Sequence, residues 1–185
     1  MYTYGYLFYI PITLVFGIMF FINGIKKKYS KWYYWCAAMV VLYINVAIKI
    51  SIFPIFIENI PGFDISYNIN LNMGNYIEGW RHNILNMLLT LPIGLCMQFV
   101  YETSLKKRIL LTIICGSVIE VFQLTLLLSL KPINIIFDIQ DLFSNILGAI
   151  VGLIVMQLIN AITKRGKSIE ENSLFAYLYN VCRNC

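Results

Sequence analysis

Charged residues are scarce along this chain, and acidic residues are the scarcer kind. Of 185 residues, 14 are Lys or Arg and 9 are Asp or Glu, whereas 59% are hydrophobic. This composition excludes a disordered chain and argues against an ordinary soluble domain. The net charge of +5 does not indicate nucleic-acid binding, because most basic residues lie in short loops and in the tail. We therefore expect one compact membrane domain that contacts the lipid bilayer and no nucleic acid.

Potential metal ligands are also sparse. His82 is the only histidine, and although it could join Asp138 and Asp141 in a metal site, no recognised ligand spacing supports one. Three of the five cysteines lie in apolar runs, and Cys182 and Cys185 have no second pair to complete a zinc site. We predict neither a metal nor a cofactor.

Five apolar runs have the roughly 20 residues that a membrane-spanning helix needs. They cover about residues 4–25, 33–57, 83–101, 109–130 and 142–162. The first run does not resemble a cleavable signal peptide, because basic residues follow it and none precedes it. The predicted fold class is an all-α integral membrane bundle of five transmembrane helices.

The loops between these runs alternate in charge. Basic residues follow the first, third and fifth runs, and the two other loops carry most of the acidic residues. The positive-inside rule then places the N-terminus outside and the C-terminus inside. We predict two N-terminal helices in residues 1–57, an extracytoplasmic loop in 58–82, a three-helix core in 83–162 and a cytoplasmic tail in 163–185. In the tail, apolar residues at helical spacing predict an amphipathic helix on the inner leaflet.

Aromatic residues accompany the predicted boundaries. Trp32, Tyr33, Tyr34 and Trp35 follow the first basic loop, and Trp80 precedes the third run. Because amphipathic rings prefer the headgroup level, we expect the first four at the inner interface and Trp80 at the outer one.

Polar side chains interrupt three of the apolar runs at helical spacing. Within each run they lie three, four or seven residues apart, so they share one helix face. Amide and ionisable groups at membrane depth are costly, and they usually face the bundle interior or a wet cavity. The three sets are Asn83, Asn86 and Thr90; Glu120 and Gln123; and Asp138, Asp141 and Asn145.

The predicted orientation brings these sets together. Glu120 lies about 17 Å from the inner end of its helix, near the middle of the bilayer. We expect a pocket in the outer half of the bundle, with Arg81 and His82 near its mouth. Its candidate catalytic residues are Glu120, Asp138 and Asp141, and its candidate binding residues also include Asn86, Gln123, Asn145 and Arg81.

A structural interpretation competes with this functional one. Polar residues also join helices, at about 0.6 to 2 kcal/mol for each hydrogen bond in a membrane. Glu120 fits that role less well, because a carboxylate in mid-membrane needs a partner or must stay protonated. Gly148 and Gly152 continue the face of Asp141 and Asn145 as a small-residue seam that lets another helix approach closely.

Three sequence blocks resemble the VanZ-like family of bacterial membrane proteins. Asn86-Met-Leu-Leu-Thr-Leu-Pro92-Ile-Gly94 is similar to the family's N-x5-P-x-G element, and Gly116-Ser-Val-Ile-Glu120-Val-Phe-Gln123 to its G-x3-E-x2-Q element. The third block, residues 138–152, is similar to its D-x2-D-x3-N-x2-G-x3-G element. The resemblance covers residues 83–153 and, more loosely, 51–54. It implies helix packing at Pro92, Gly94, Gly116, Gly148 and Gly152.

The chain departs from the family pattern shortly before Asp138. Members often carry an arginine there, where this chain has Asn134, Ile135 and Ile136. Lys131 or Arg81 could take the place of that arginine beside the carboxylates.

The resemblance implies a cellular context but no settled reaction. Founding members are associated with low-level teicoplanin resistance in Gram-positive bacteria. We therefore expect a multi-pass protein of the bacterial cytoplasmic membrane that contributes to glycopeptide resistance or cell-envelope modification through an outward-facing polar cluster. Its expected partners are the bilayer and an envelope lipid or lipid-linked precursor; the oligomeric state is left open.

Two alternatives remain, and whether the protein is an enzyme is open. In the first, a membrane enzyme acts on a lipid or lipid-linked substrate, with Glu120 as acid or base. Asp138 and Asp141 would then hold a divalent cation against a phosphate. In the second, the protein is a helper subunit of another membrane protein, to which the glycine seam would bind.

Overall fold

The described part of the chain is mainly helical. A computed structural model describes residues 2–4, 9–57, 62, 64–73, 79–100 and 103–185. Within the predicted loop 58–82, residues 58–61, 63 and 74–78, which include Glu58 and Glu78, lie outside the described residues. The helices are α1 (Tyr9–Lys27), α2 (Lys31–Ile52), α3 (Trp80–Val100), α4 (Leu105–Leu130), α5 (Ile139–Thr163) and α6 (Leu174–Asn184). The strands are β1 (Tyr2–Tyr4), β2 (Ile55–Ile57), β3 (Ile69–Asn70) and β4 (Phe137–Asp138).

Four helices among the described residues are long and apolar enough to cross a membrane: α2, α3, α4 and α5. In the most apolar 18-residue stretch of each helix, only 17% to 39% of the residues are buried inside the protein. Most of these side chains therefore face outward, as lipid contact requires. The first predicted span, about residues 4–25, overlaps α1, which is not one of the four, and residues 5–8 of that span lie outside the described residues. The count of five spans and their orientation therefore remain predictions.

The second predicted span ends earlier than the sequence pattern indicated. The prediction that it reaches residue 57 is wrong, because α2 ends at Ile52. The residue before a proline is disfavoured in helical conformation, and Pro54 follows Phe53 directly. Residues 55–57 instead form β2, which pairs antiparallel with β1.

Helix α5 is the centre of the bundle, with its most extensive contacts to α3 and then to α4. Glycines make both approaches close. A Cβ added at Gly148 would meet the backbone of Met87, and one at Gly152 would meet the Leu91 carbonyl. On α4, a Cβ at Gly116 would lie 3.0 Å from the Asn145 carbonyl oxygen. A Cβ at Gly94 would meet the backbone of α5, and Pro92 lies within α3.

The two ends of the bundle differ in chemistry. At the end that we call the acidic end, α2 and α4 finish, and α3 and α5 begin. There the described part of the long loop contacts the segment before α5: the Asn68 amide donates to the Ile135 carbonyl at 2.8 Å, and β3 pairs parallel with β4. The opposite end, which we call the basic end, holds the start of α2 and of α4, the ends of α1, α3 and α5, and α6.

Tyr33 lies in the core of the basic end. It is 1% exposed, within a cluster that includes Phe20, Val100 and Tyr177. Its hydroxyl accepts from Asn23 at 3.1 Å and lies 3.2 Å from the Phe20 carbonyl oxygen. Tyr33 therefore packs inside the protein, and its position at the level of the inner interface stays a prediction.

Helix α6 forms in the predicted tail. Its buried face consists of Ala176, Tyr177, Asn180 and Cys182, whereas Phe175 is 73% exposed. Burial raises the pKa of the Cys182 thiol above its ordinary value, which keeps that thiol protonated.

Candidate functional site

An open cavity of about 360 Å³ lies at the acidic end, between the end of α2, the start of α3 and the start of α5. Its apolar wall comes from the end of α2 and from residues 135–136. Its polar lining is Ser51, His82, Gln123, Asn134, Asp138 and Asp141. The cavity thus collects three of the polar residues predicted from the sequence, together with the histidine predicted near the mouth.

Asp138 holds the start of α5 in place. It is the N-cap, and its Oδ1 accepts from the Gln140 N–H at 2.8 Å. Its Oδ2 accepts from the Asn70 side-chain amide, also at 2.8 Å. Because both carboxylate oxygens are engaged, Asp138 acts first as a structural cap that ties the long loop to α5.

Asp141 pairs with His82 across the cavity mouth. The Nε2 of His82 lies 3.0 Å from Oδ2 of Asp141. The histidine side chain is 66% exposed and the aspartate side chain 15% exposed. A carboxylate beside one ring nitrogen orients the imidazole, as in sites where histidine transfers protons. Among the described residues, no group of three or more His, Cys, Asp and Glu side chains is placed to hold a metal.

Glu120 lies behind the cavity wall and is 2% exposed. Its Oε1 accepts from the Asn145 side-chain amide at 3.0 Å. Gly116, one turn earlier on α4, permits this contact because it allows α5 to approach closely. The charges of Asp141 and Asp138 act unfavourably on the Glu120 carboxylate, so the three acidic groups form one electrostatic cluster.

Several buried oxygens in and around the acidic cavity have no hydrogen-bond partner among the described residues. Gln123 uses its amide nitrogen to donate to the Ser51 carbonyl at 2.7 Å, which leaves its Oε1 unpaired. A buried acceptor without a donor costs about 1 to 3 kcal/mol. The unpaired oxygens are Glu120 Oε2, Gln123 Oε1, Asp141 Oδ1, Asn145 Oδ1 and the Ser51 hydroxyl, and the Asn86 amide nitrogen is an unpaired donor beside the cavity. Such a set favours a ligand that brings hydrogen-bond donors.

Three other predicted polar residues lie beside the cavity and do not line it. Asn86 is partly buried on α3, close enough to Asp141 to influence its carboxylate. Thr90 is fully buried and donates back to the Asn86 carbonyl at 3.0 Å. Asn83 is buried as well. These side chains lie on the face of α3 that packs inside the bundle.

Arg81 does not join the carboxylates. It is exposed, and its guanidinium lies 5.4 Å from the centre of the Trp80 ring. Lys131 caps the end of α4 in a left-handed conformation with φ of 49°. Within the part of the chain that the structure describes, no Lys or Arg forms a salt bridge with Asp138 or Asp141.

Asn134 lies at the place where family members often carry arginine. It joins the segment before α5 to residues 54–56, which follow α2. Its amide nitrogen donates to the Pro54 carbonyl at 2.7 Å, and its oxygen accepts from the Phe56 N–H at 2.9 Å. Together with the Asn70 contact, this shows that asparagines hold the loops around the cavity. Neither residue was predicted from the sequence, although the richness of the long loop in asparagine was a usable signal for Asn70.

A second polar cluster, which was not predicted from the sequence, lies at the basic end. The carboxamides of Gln98 and Asn160 bond to each other at 2.9 Å, and Arg108 Nη1 donates to Gln98 Oε1 at 3.1 Å. All three residues are at most 5% exposed. Gln98 and Asn160 interrupt apolar runs just as Gln123 and Asn145 do, so the same rule applied to them would have found this cluster.

An apolar helical bundle with polar side chains collected inside it defines an all-helical membrane protein. The model of the VanZ/LLP1 family matches residues 8–160, and the chain belongs to this family. The match extends beyond the three motif blocks into α1 and α2. No significant match was found among curated proteins or among solved structures.

Proposed function

We propose that this protein is a multi-pass protein of the bacterial cytoplasmic membrane whose acidic cavity faces outward and binds the headgroup of an envelope lipid or lipid-linked precursor. By occupying or altering such targets, it would reduce the action of teicoplanin and related lipophilic glycopeptides. Membership of the VanZ/LLP1 family supports the membrane setting. The alternation of basic and acidic loops supports the orientation.

The observation that carries this proposal is the group of unpaired oxygens at the cavity. Gln123 Oε1 and Asp141 Oδ1 belong to lining residues, and both are buried acceptors without donors among the described residues. Carboxylate and amide oxygens accept hydrogen bonds from sugar hydroxyls and from ammonium groups. An isolated phosphate fits less well, since Asp138 and Asp141 both line the cavity. The favoured headgroup therefore bears hydroxyls or amines.

The open shape of the cavity suits a lipid-borne ligand. Its lining combines polar side chains at the acidic end with the apolar residues Ile50, Ile52 and Phe53 from the end of α2. Ile50 is 69% exposed, so the apolar wall continues onto the bundle surface. A headgroup can then bind in the cavity while its acyl chains stay in the bilayer along α2.

A paired substitution experiment tests the proposal. Glu120→Gln and Asp141→Asn each replace a carboxyl group by its amide with almost no change in shape, so we expect normal membrane abundance and lost protection against teicoplanin in a deletion strain. Loss of a hydrogen bond to a charged group weakens binding by roughly ten-fold or more. Equal susceptibility of matched strains with and without the gene would contradict the resistance role.

Asp64→Asn is the matched control, because it makes the same chemical change outside the cavity. Asp64 is exposed, and its carboxylate accepts from the Ser66 N–H at 2.9 Å. That backbone hydrogen bond lowers the pKa of Asp64 and keeps it ionised, so the control removes one negative charge. We expect it to keep protection. Lost abundance of Glu120→Gln and Asp141→Asn would assign the cluster to helix packing and contradict a binding role.

A second candidate function is catalysis on a lipid-linked substrate, and the His82–Asp141 pair favours it. A histidine held by a carboxylate at a cavity mouth has the arrangement of a general base. His82→Gln should then abolish turnover of radiolabelled envelope lipids by purified protein, as Glu120→Gln should if that residue is the acid or base. Turnover retained in both variants, or absent from the wild type, would contradict this function.

A further inference from the structure

The basic end holds a second cavity, which is separate from the acidic one and about 450 Å³ in volume. It lies between the turn after α1, the start of α4 and helix α6. Its polar lining includes Ser30, Thr103, Arg108, Glu171 and Asn180. We propose that this cavity binds a phosphate-bearing anion, with the Arg108 guanidinium as its main ligand.

Arg108 is a buried cation whose hydrogen-bond partners among the described residues are neutral, although Glu171 borders the same cavity. It is 5% exposed, donates through Nη1 to Gln98 Oε1 and through Nη2 to the Thr103 carbonyl, both at 3.1 Å. No carboxylate of the described residues forms a salt bridge with it. A buried charge without an opposite charge is strongly unfavourable. The site therefore favours an anion in the cavity that Arg108 lines.

Donor groups without partners point to the same ligand. Arg108 Nε and Ser30 Oγ are buried, both residues line the cavity, and neither atom has a partner among the described residues. Guanidinium N–H groups and a hydroxyl are suited to phosphate oxygens, which accept several hydrogen bonds at once. These unpaired donors contrast with the unpaired acceptors of the acidic cavity.

The surroundings of the cavity add positive charge. Lys27 lies 5.6 Å above the ring of Tyr29, which lines the cavity, and Lys31 lies over the neighbouring Trp32. Glu171 also borders the cavity, and its backbone carbonyl accepts from the Trp32 indole at 3.3 Å. In the predicted orientation this end faces the cytoplasm, where anionic lipids attract basic pockets between helices. An anionic phospholipid headgroup and free phosphate share the required chemistry.

Stabilisation of the purified full-length protein distinguishes these two sources. Melting temperatures would be compared in nanodiscs of phosphatidylcholine alone, in nanodiscs containing phosphatidylglycerol, and in phosphatidylcholine nanodiscs with added inorganic phosphate. A rise with phosphatidylglycerol alone identifies a lipid headgroup, and a rise with inorganic phosphate identifies the soluble anion. No rise with either anion would overturn the proposal.

Arg108→Gln should abolish the rise, because it removes the cation at the centre of the site. Arg165→Gln is the matched control, since it removes one exposed arginine from the same end of the bundle. It should keep the rise. An equal loss of the rise in both variants would show general attraction to basic residues, and a rise that persists in Arg108→Gln would exclude Arg108 as the ligand.

Two further variants keep the test decisive if Arg108→Gln does not fold. Ser30→Ala removes one unpaired donor and should reduce anion affinity by roughly two- to ten-fold; unchanged affinity would contradict the assigned site. Glu102 lies outside the described residues, and Glu102→Gln tests it as an internal counter-ion. If the wild-type protein responded to neither anion but Glu102→Gln did, Glu102 would be the counter-ion of Arg108. That result would overturn the proposal for the native protein.

Discussion

The side-chain amide of Asn145 donates to Glu120 Oε1 at 3.0 Å, and both residues are at most 2% exposed. This bond joins α4 to α5 at the height where Gly116 lets the two helices come close. Glu120 is thereby fixed beside the acidic cavity without lining it. If this bond mainly joins the helices, Glu120 has a structural role. If it mainly positions the carboxyl group, Glu120 has a role at the acidic cavity.

Asn145→Ala removes the donor and leaves Glu120 Oε1 without a partner. We expect the free energy of unfolding in detergent to fall by about 1 to 3 kcal/mol, the cost of an unsatisfied buried acceptor. A double-mutant cycle with Glu120→Gln should give a coupling energy of about 0.5 to 2 kcal/mol. Additive losses in the cycle would show that the two side chains do not interact.

Gly148→Ala should strongly destabilise the α3–α5 contact. An added Cβ would lie 2.5 Å from Met87 Cα, and backbone atoms cannot move aside as a flexible side chain can. We expect a loss of about 1 to 3 kcal/mol or more, measured by thermal unfolding and by membrane abundance.

Gly17→Ala is the control for this substitution, because a Cβ at Gly17 meets nothing within 4 Å. Alanine is the better helix former, so this variant should be unchanged or more stable by about 0.5 to 1 kcal/mol. Equal effects of the two alanines would contradict a close helix contact at Gly148.

Tyr33→Phe should destabilise the basic end by about 0.5 to 1.5 kcal/mol, because the Asn23 amide loses its acceptor. Thermal unfolding measures the loss, and Tyr34→Phe, on the following residue, should change stability by less than about 0.5 kcal/mol. If Tyr34→Phe had the larger effect, the core position of the Tyr33 hydroxyl would be contradicted.

Labelling of single cysteines tests the predicted orientation. In a cysteine-free background, Tyr67→Cys should react with a membrane-impermeant maleimide in intact cells, because Tyr67 is 88% exposed at the acidic end. Lys107→Cys, exposed at the basic end, should react only after permeabilisation. The reverse pattern would invert the orientation and place the acidic cavity on the cytoplasmic side.

Much of the fold is predictable from local sequence patterns. Runs of about 20 apolar residues place α2 to α5 within a few residues, because hydropathy is a property of each segment alone. The exception is the end of α2. The apolar run continues to about residue 57, but α2 ends at Ile52, shortly before Pro54. The shared face of Asp141 and Asn145 is likewise predictable, since helical spacing repeats within seven residues, whereas Asp138 precedes α5 as an N-cap in extended conformation.

The candidate site was harder to predict, because its contacts join distant parts of the chain. His82 and Asp141 are separated by 59 residues, and Asn70 and Asp138 by 68. Helical spacing says which side chains share a face and does not say which face another helix covers. For that reason Arg81 was expected beside the carboxylates, and the role of Asp138 as a bonded helix cap was not foreseen.

The sequence by itself determined that this is an apolar helical chain with polar groups inside it, because composition and periodicity are written in consecutive residues. Only the tertiary structure decided which polar atoms are satisfied by neighbours and which stay unpaired. Among the described residues, it placed the unpaired acceptors Gln123 Oε1 and Asp141 Oδ1 at the acidic cavity and the unpaired donors Arg108 Nε and Ser30 Oγ at the basic cavity. The physical reason is that hydrogen bonding at short range depends on how α3, α4 and α5 pack, and that packing is set by close contacts at glycines such as Gly116 and Gly148.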